Sequence, residues 1–248
     1  MKHCRRATVK EQRSNRRRHK KKMRPKRYRE GYISVTEVIA MIGKPWLASW
    51  GYKTVAEKFK ELVLKYGVKD NIDLYVKIAK AEPIRFRDQC AAIGKRVHNG
   101  VEIYLDTEDF SKASEKCKDD NEILILKEFV DYLSTQTYKE KKFIEVPMYS
   151  EIHGFAGTPD LLCETKLGWE LRDWKIKTVQ DKNELGMQMG GYAIVAEEEE
   201  GVKVVRAEGK RVGRDCSTDK TPLVFENIDE WKKKFLRLRE MYRDLYNK

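Results

Sequence analysis

The tightest constraint in this chain comes from two short stretches. They are Gly154-Phe-Ala-Gly-Thr-Pro-Asp160 and, thirteen residues beyond that aspartate, Asp173-Trp174-Lys175. Side chains alternate along a strand, so Asp173 and Lys175 share one face while Trp174 takes the other. If 155–164 and 168–177 are neighbouring antiparallel strands, Asp160 arrives at the same spot as Asp173 and Lys175. Hard cations such as Mg²⁺ prefer carboxylate and water oxygens, and an adjacent lysine can orient or deprotonate an attacking water. Taken singly, each stretch also fits a turn and a charged strand with no chemistry attached. Glu170 shares the second strand, but its parity sets it on the face opposite Asp173, so it is left out of the constellation.

Two flanking segments extend the pattern. Residues 84–106 predict a helix whose Cys90, Ile93, Val97, Val101 and Tyr104 form one buried stripe. His98 lies beside that stripe, either as a packed core histidine or as a neutral imidazole ligand. Gly94, one turn earlier, is expected to let another backbone come close. Residues 181–198 predict a second helix, on which Gln188 and Tyr192 project from one side. Gly190 and Gly191 are poor helix formers and suit a helix pressed against a sheet or a nucleic-acid backbone. A packing tyrosine and a surface glutamine would leave the same spacing.

Together these four pieces resemble the RecB-like branch of the PD-(D/E)XK nuclease superfamily. The matching motifs are Gly94–His98, Gly157–Asp160, Asp173–Lys175 and Gln188–Tyr192, over roughly residues 31–200. The opening Tyr32-Ile-Ser-Val-Thr-Glu-Val-Ile is similar to the start of phage and mitochondrial members. The resemblance implies a restriction-endonuclease-like α/β core and a Mg²⁺- or Mn²⁺-dependent deoxyribonuclease, of the exonuclease kind, serving replication, recombination or repair. It implies that His98, Asp160, Asp173 and the Trp174 carbonyl hold the metal, and that Lys175 positions or activates water. Gln188 and Tyr192 would touch the DNA backbone or help fix the site. A non-catalytic nucleic-acid-binding protein, a structure-specific endonuclease and an RNA-processing nuclease on the same scaffold stay open as alternatives. Some members carry an iron–sulfur cluster on one cysteine before the core and three after it. Here Cys4, Cys90, Cys117, Cys163 and Cys216 supply no such set, so no cluster is expected. Scattered thiols without a paired framework suit a reducing, intracellular setting: cytoplasm or nucleoid, or the nucleus of a eukaryotic host.

The formal charge of +12 is confined to one end. Residues 1–30 hold 15 Lys or Arg against Glu11 and Glu30, which is 15 − 2 = +13; the other 218 hold 37 against 38, which is −1. The tail, with Arg16, Arg17, Arg18, Lys20, Lys21 and Lys22 at its centre, has too few apolar residues to build a core and is expected to be disordered. It reads as an arm gripping DNA phosphates, single-stranded or at duplex ends, with a solvated tail or a targeting signal as the alternative. No run of about 18 apolar residues exists, so no membrane span is expected.

Residues 31–248 are expected to form one nuclease domain, an α/β layered structure with a mixed central sheet flanked by helices and extra helices before it. Short helices are expected at 34–42 and 53–66, broken at Gly43-Lys-Pro-Trp46, with Trp46 and Trp50 serving as core or lid packing or as stacking platforms. A helix at 119–137 precedes strands at 142–150, 155–164 and 168–177. Strands at 202–207 and 221–226 flank a polar loop bearing Lys210, Arg211 and Arg214, either a DNA contact or a solvated hairpin. A final helix at 228–246 carries the seam Trp231, Phe235, Leu238, Tyr242 and Leu245. Its seam fits sheet packing or a dimer contact, so the oligomeric state is open. Deleting residues 1–30 is expected to weaken DNA binding and flatten its dependence on salt, by about 0.9 in log–log slope for each phosphate the arm neutralises. Binding isotherms at several salt concentrations check this, and an unchanged slope would contradict the arm.

Overall fold

Pro147 and Pro159 each interrupt a run whose alternation predicts a continuous strand, and these two breaks set the architecture. Proline has no N–H to give a strand ladder, so pairing stops beside it. The computed structural model describes residues 31–68, 71–139, 142–177, 181–219 and 221–246. The tail residues Arg16, Arg17, Arg18, Lys20, Lys21 and Lys22 lie outside the described residues. The expected strand 142–150 is two strands, β2 (Lys142–Ile144) and β3 (Met148–Ser150). Between them Glu145 adopts a left-handed φ of 48°, a conformation no regular strand accommodates. The expected strand 155–164 is likewise split into β4 (Phe155–Gly157) and β5 (Leu161–Glu164).

The pieces go to different sheets. With β1 (Ile33–Ser34), β3 and β4 make a three-stranded sheet of order β1-β4-β3, in which β1 is parallel and β3 antiparallel to β4. With β6 (Trp169–Ile176), β7 (Val204–Val212) and β8 (Leu223–Phe225), β2 and β5 make a five-stranded sheet of order β2-β5-β6-β7-β8. β5 and β6 are antiparallel, with Leu161 opposite Arg172 and Cys163 opposite Glu170. The class is the expected mixed α/β, but two sheets stand where one was anticipated. The chain passes from one to the other at Glu145–Pro147 and again at Thr158–Asp160.

The described residues divide into two compact units. The first, through Met41 with Ser134–Arg211 and Thr218 onward, holds both sheets and three helices: α1 (Val35–Ile39), α6 (Lys182–Glu200) and α7 (Ile228–Tyr246). Helix α6 begins at Asp181, whose carboxylate accepts from the Asn183 and Glu184 amides, and ends at left-handed Gly201. Nearly every residue from Leu185 to Ala196 is buried, so this helix is apolar all round rather than striped. Burying Leu185, Met189, Ile194 and Val195 contributes roughly 1.5–3 kcal/mol each.

Glycines let α6 sit close to its neighbours. A Cβ at Gly190 would lie 2.4 Å from the Trp231 backbone, and one at Gly186 2.5 Å from the Trp231 ring. The expected sheet or nucleic-acid neighbour of Gly190 is therefore the backbone of α7. On α7, Trp231, Phe235 and Tyr242 are buried as expected, but Leu245 is 67% exposed, so the apolar seam stops a turn early.

The second unit, Ile42–Leu133 with Val212–Ser217, is helical: α2 (Pro45–Tyr66), α3 (Ile72–Thr107), α4 (Phe110–Ser114) and α5 (Asp120–Ser134, whose last residue falls in the first unit). α2 starts eight residues before the expected 53, because Pro45 is tolerated where a helix has no N–H to give. α3 begins twelve residues before the expected 84 and carries Pro83 inside it. Val97, Val101 and Leu105 are its most buried side chains here, whereas Cys90, Ile93 and Tyr104 are only half-buried. Arg96 clasps Glu122 through two hydrogen bonds and ties α3 to α5. Gly100 admits Leu126, 3.0 Å from where its Cβ would be, whereas Gly94 has no described atom within 4 Å and makes no close approach. No helix among the described residues is long and apolar enough to cross a membrane.

Gly190→Ala is expected to lower stability by about 2 kcal/mol, because the obstacle is backbone and cannot swing away. Gly94→Ala is expected to hold or raise stability, by roughly 0.5–1 kcal/mol. Urea denaturation of both variants checks this, and an unshifted midpoint for Gly190→Ala would contradict the packing.

Candidate metal centre

Asp160 stands between the two sheets' segments, directly before β5. Its Oδ2 accepts the Trp174 amide at 2.6 Å, so the carboxylate is fastened to β6, the strand carrying the other motif. A charge-assisted bond of this kind is about twice as strong as a neutral one. Asp173, on β6, is 1% exposed. Its Oδ2 lies 2.7 Å from the Lys175 Nζ, two residues along on the same face. Lys175 keeps 23% of its side chain exposed. Burial pulls its ammonium down, but the carboxylates of Asp173 and Asp160 outweigh that and hold it above the usual lysine value. The structure thus brings Asp160, Asp173 and Lys175 together on one face of the five-stranded sheet.

Gln188 and Tyr192 close the arrangement from behind. Both are buried, at 6% and 5% exposure. The Gln188 amide donates to the Tyr192 hydroxyl at 2.8 Å and reaches Asp173 Oδ1 at 3.5 Å. The Tyr192 ring fills the space left by Gly157, where a Cβ would lie 2.7 Å from it. The glycine of the Gly-Thr-Pro-Asp stretch is thus a seat for the tyrosine of the second helix. Trp174 points its indole to the other face, where it is buried.

One acidic residue escaped the sequence reading. The Glu145 amide donates to the Asp160 carbonyl at 3.1 Å, and the two residues' carboxylate oxygens lie within 4.8 Å of each other. Glu145 was hidden because the run 142–150 looks like one strand, in which a lone glutamate is unremarkable. Its neighbour Pro147, two residues on, was the available sign of a break. His98 lies on α3 of the second unit, half-buried beside buried Val97.

The opposite face of β6 carries a separate ionic group. Glu170 Oε2 pairs with Arg172 and Arg206 at 3.3 and 3.5 Å, and Arg206 pairs with Glu208 at 2.6 Å. Arg172 also donates to Gln136, and Thr165 donates to Glu170. Burial in this layer pushes the Cys163 thiol up to about 12, which makes it inert. The expected basic loop is different from its sequence reading. Lys210 and Arg211 lie on β7, which runs further than the predicted 207. Lys210 donates to the Asp219 carbonyl, and Arg211 to the Asp219 carboxylate and the Lys177 carbonyl.

Neither a family model nor a curated protein matches the chain. Among solved structures, a protein of Eubacterium rectale provisionally named an exonuclease is similar over 95% of this chain and 84% of its own, at 13% identity and a TM-score of 0.42. SSO0001 is similar over 59% and 74%, at 12% identity and a TM-score of 0.28. Likeness at this level carries no argument about activity, which rests on the residues themselves.

Proposed function

We propose that this protein is a divalent-metal-dependent DNA nuclease of the RecB-like PD-(D/E)XK branch, of exonuclease type, acting in replication, recombination or repair. The observation that carries the reading is the meeting of Asp160, Asp173 and Lys175 on one sheet face, with Gln188 reaching Asp173 from α6.

The donor set fits a hard cation. Asp160, Asp173 and the nearby Glu145 offer oxygen ligands, which suit Mg²⁺ or Mn²⁺ and not a soft metal. The carboxylates of Asp160 and Asp173 face one ammonium there, that of Lys175, an excess of negative charge that a divalent ion offsets. In this reading Asp160 and Asp173 hold the ion with the Trp174 carbonyl, and the resemblance adds the His98 imidazole. A bound ion supplies electrostatic stabilisation to the charge that develops on the phosphodiester oxygens as the bond breaks.

The chain's own groups do the rest. The Trp174 amide fixes one Asp160 oxygen. Lys175 holds one Asp173 oxygen closely and Gln188 reaches the other at 3.5 Å, while the Gln188–Tyr192 bond steadies Gln188 in turn. Lys175, kept as an ammonium by its neighbours, donates hydrogen bonds and so orients the attacking water and steadies the phosphate. DNA is the substrate in this reading, and the basic tail adds sequence-independent grip.

Asp160→Ala and Lys175→Ala are each expected to cut Mg²⁺- or Mn²⁺-dependent DNA degradation by on the order of 10²–10³ or more, while DNA binding survives. End-labelled linear DNA, single- and double-stranded, assayed beside a closed circle measures both rate and mode, and an exonuclease spares the circle. Variants that degrade DNA as fast as the parent would contradict the site. A parent that binds DNA without cutting any of these substrates would favour a non-catalytic binding protein on the same scaffold.

A further inference from the structure

Seventeen large apolar side chains stand exposed among the described residues, and ten of them fall within 46–84. That concentration marks the stretch as a surface built to meet something, since scattered exposure would need no explanation. At the start of α2 the exposed groups are aromatic. Trp46 is 63% and Tyr52 79% exposed. Trp50, one turn after Trp46 on the same side of the helix, packs against Phe86 of α3 with ring centroids 5.6 Å apart. The Phe86 ring in turn carries the Arg214 guanidinium at 4.7 Å. The exposed Trp46 ring therefore stands next to a braced aromatic pair with a cation over it.

The charge of this segment identifies its occupant. Residues 42–68 hold five lysines (44, 53, 58, 60 and 65) against Glu57 and Glu61, which is 5 − 2 = +3, whereas 31–248 as a whole sum to 37 − 38 = −1. Trp46, Lys53 and Lys60 recur every seven residues, so they lie along one face of α2. Lys53 and Glu57 meet only at 3.8 Å, with both side chains mostly exposed, a pairing weak enough to give way to a phosphate. Lys58 is held closely by Glu61 at 2.9 Å. An exposed indole beside spaced, solvent-facing ammonium groups is the chemistry that binds unpaired bases by stacking and their phosphates by charge.

We propose that the Trp46 face of α2 is a stacking platform for single-stranded DNA, with Lys53 and Lys60 along its phosphate track. This deepens the nuclease reading and rests on it for its role, by assigning single strands as the form of DNA the protein grips.

The test uses the full chain in EDTA, so that no cutting occurs. Fluorescence anisotropy compares a labelled oligo-dT with an abasic oligodeoxynucleotide of equal length, which keeps the phosphates and lacks the bases. The parent is expected to favour oligo-dT roughly tenfold. Trp46→Ala should abolish that preference and leave abasic binding unchanged, and Trp46→Phe should keep most of it. Tyr246→Ala, an exposed aromatic on α7, should change nothing. A parent with no preference for bases, or a Trp46→Ala variant that keeps it, overturns the platform. So does a Trp46→Ala variant that leaves DNA binding intact and instead shifts the sedimentation mass, which would assign the face to contact between copies. A parallel assay with Mg²⁺ separates the two claims. Cutting without base preference leaves the nuclease reading and removes the platform, whereas base preference without cutting does the reverse.

Discussion

The hydrogen bond from the Glu145 amide to the Asp160 carbonyl joins the two places where the chain leaves one sheet for the other. Much of the candidate site follows from that join. It sets Asp160 at the start of β5, where its carboxylate can reach the Trp174 amide of β6. β5 and β6 are paired in register, so Asp173 and Lys175 are then presented on one face. Neither proline break weakens the fold, because each ends one sheet's ladder and begins the other's. Carboxylates out of water are costly unless paired and hydrogen-bonded. Here the partners come from β6 itself, as an amide for Asp160 and an ammonium for Asp173.

Packing and electrostatics divide the labour across β6. One face holds Asp173 and Lys175, backed by Gln188 and Tyr192 of α6. The other face holds Glu170 and Arg172, linked to Arg206 and Glu208 of β7. The second group is a closed ring of opposite charges and serves as mortar between strands. The first, with Asp160 beside it, sets two carboxylates against one ammonium. Glycines set the helix behind the first face, because α6 approaches α7 at its own Gly190 and β4 through Tyr192 at Gly157 of that strand.

Much of this was legible in the sequence, for identifiable reasons. The helix of 228–246 was readable from the stripe of Trp231, Phe235 and Tyr242, and that of 181–198 from Gln188 and Tyr192 lying four residues apart; the structure adds Asp181 as its cap and Gly201 as its stop. The parity of Asp173 and Lys175 follows from strand geometry alone, and the structure places them together. The early start of α2 was not readable, since exposed Trp46 and Leu47 give no amphipathic signal there. Glu145 was invisible for a different reason: its importance comes from a left-handed backbone and a bond to a residue fifteen positions away. Leu245 shows the converse error, an apolar position in register that finds nothing to cover it.

The proposed site requires Asp160 and Asp173 to bind a divalent cation jointly, and Mn²⁺ titration followed by electron paramagnetic resonance measures that directly, without turnover. The parent should take up Mn²⁺, and Asp160→Asn and Asp173→Asn should each lose at least about tenfold in affinity while unfolding as cooperatively as the parent. A parent that leaves Mn²⁺ free in solution, or variants that bind it as tightly as the parent, would contradict the account.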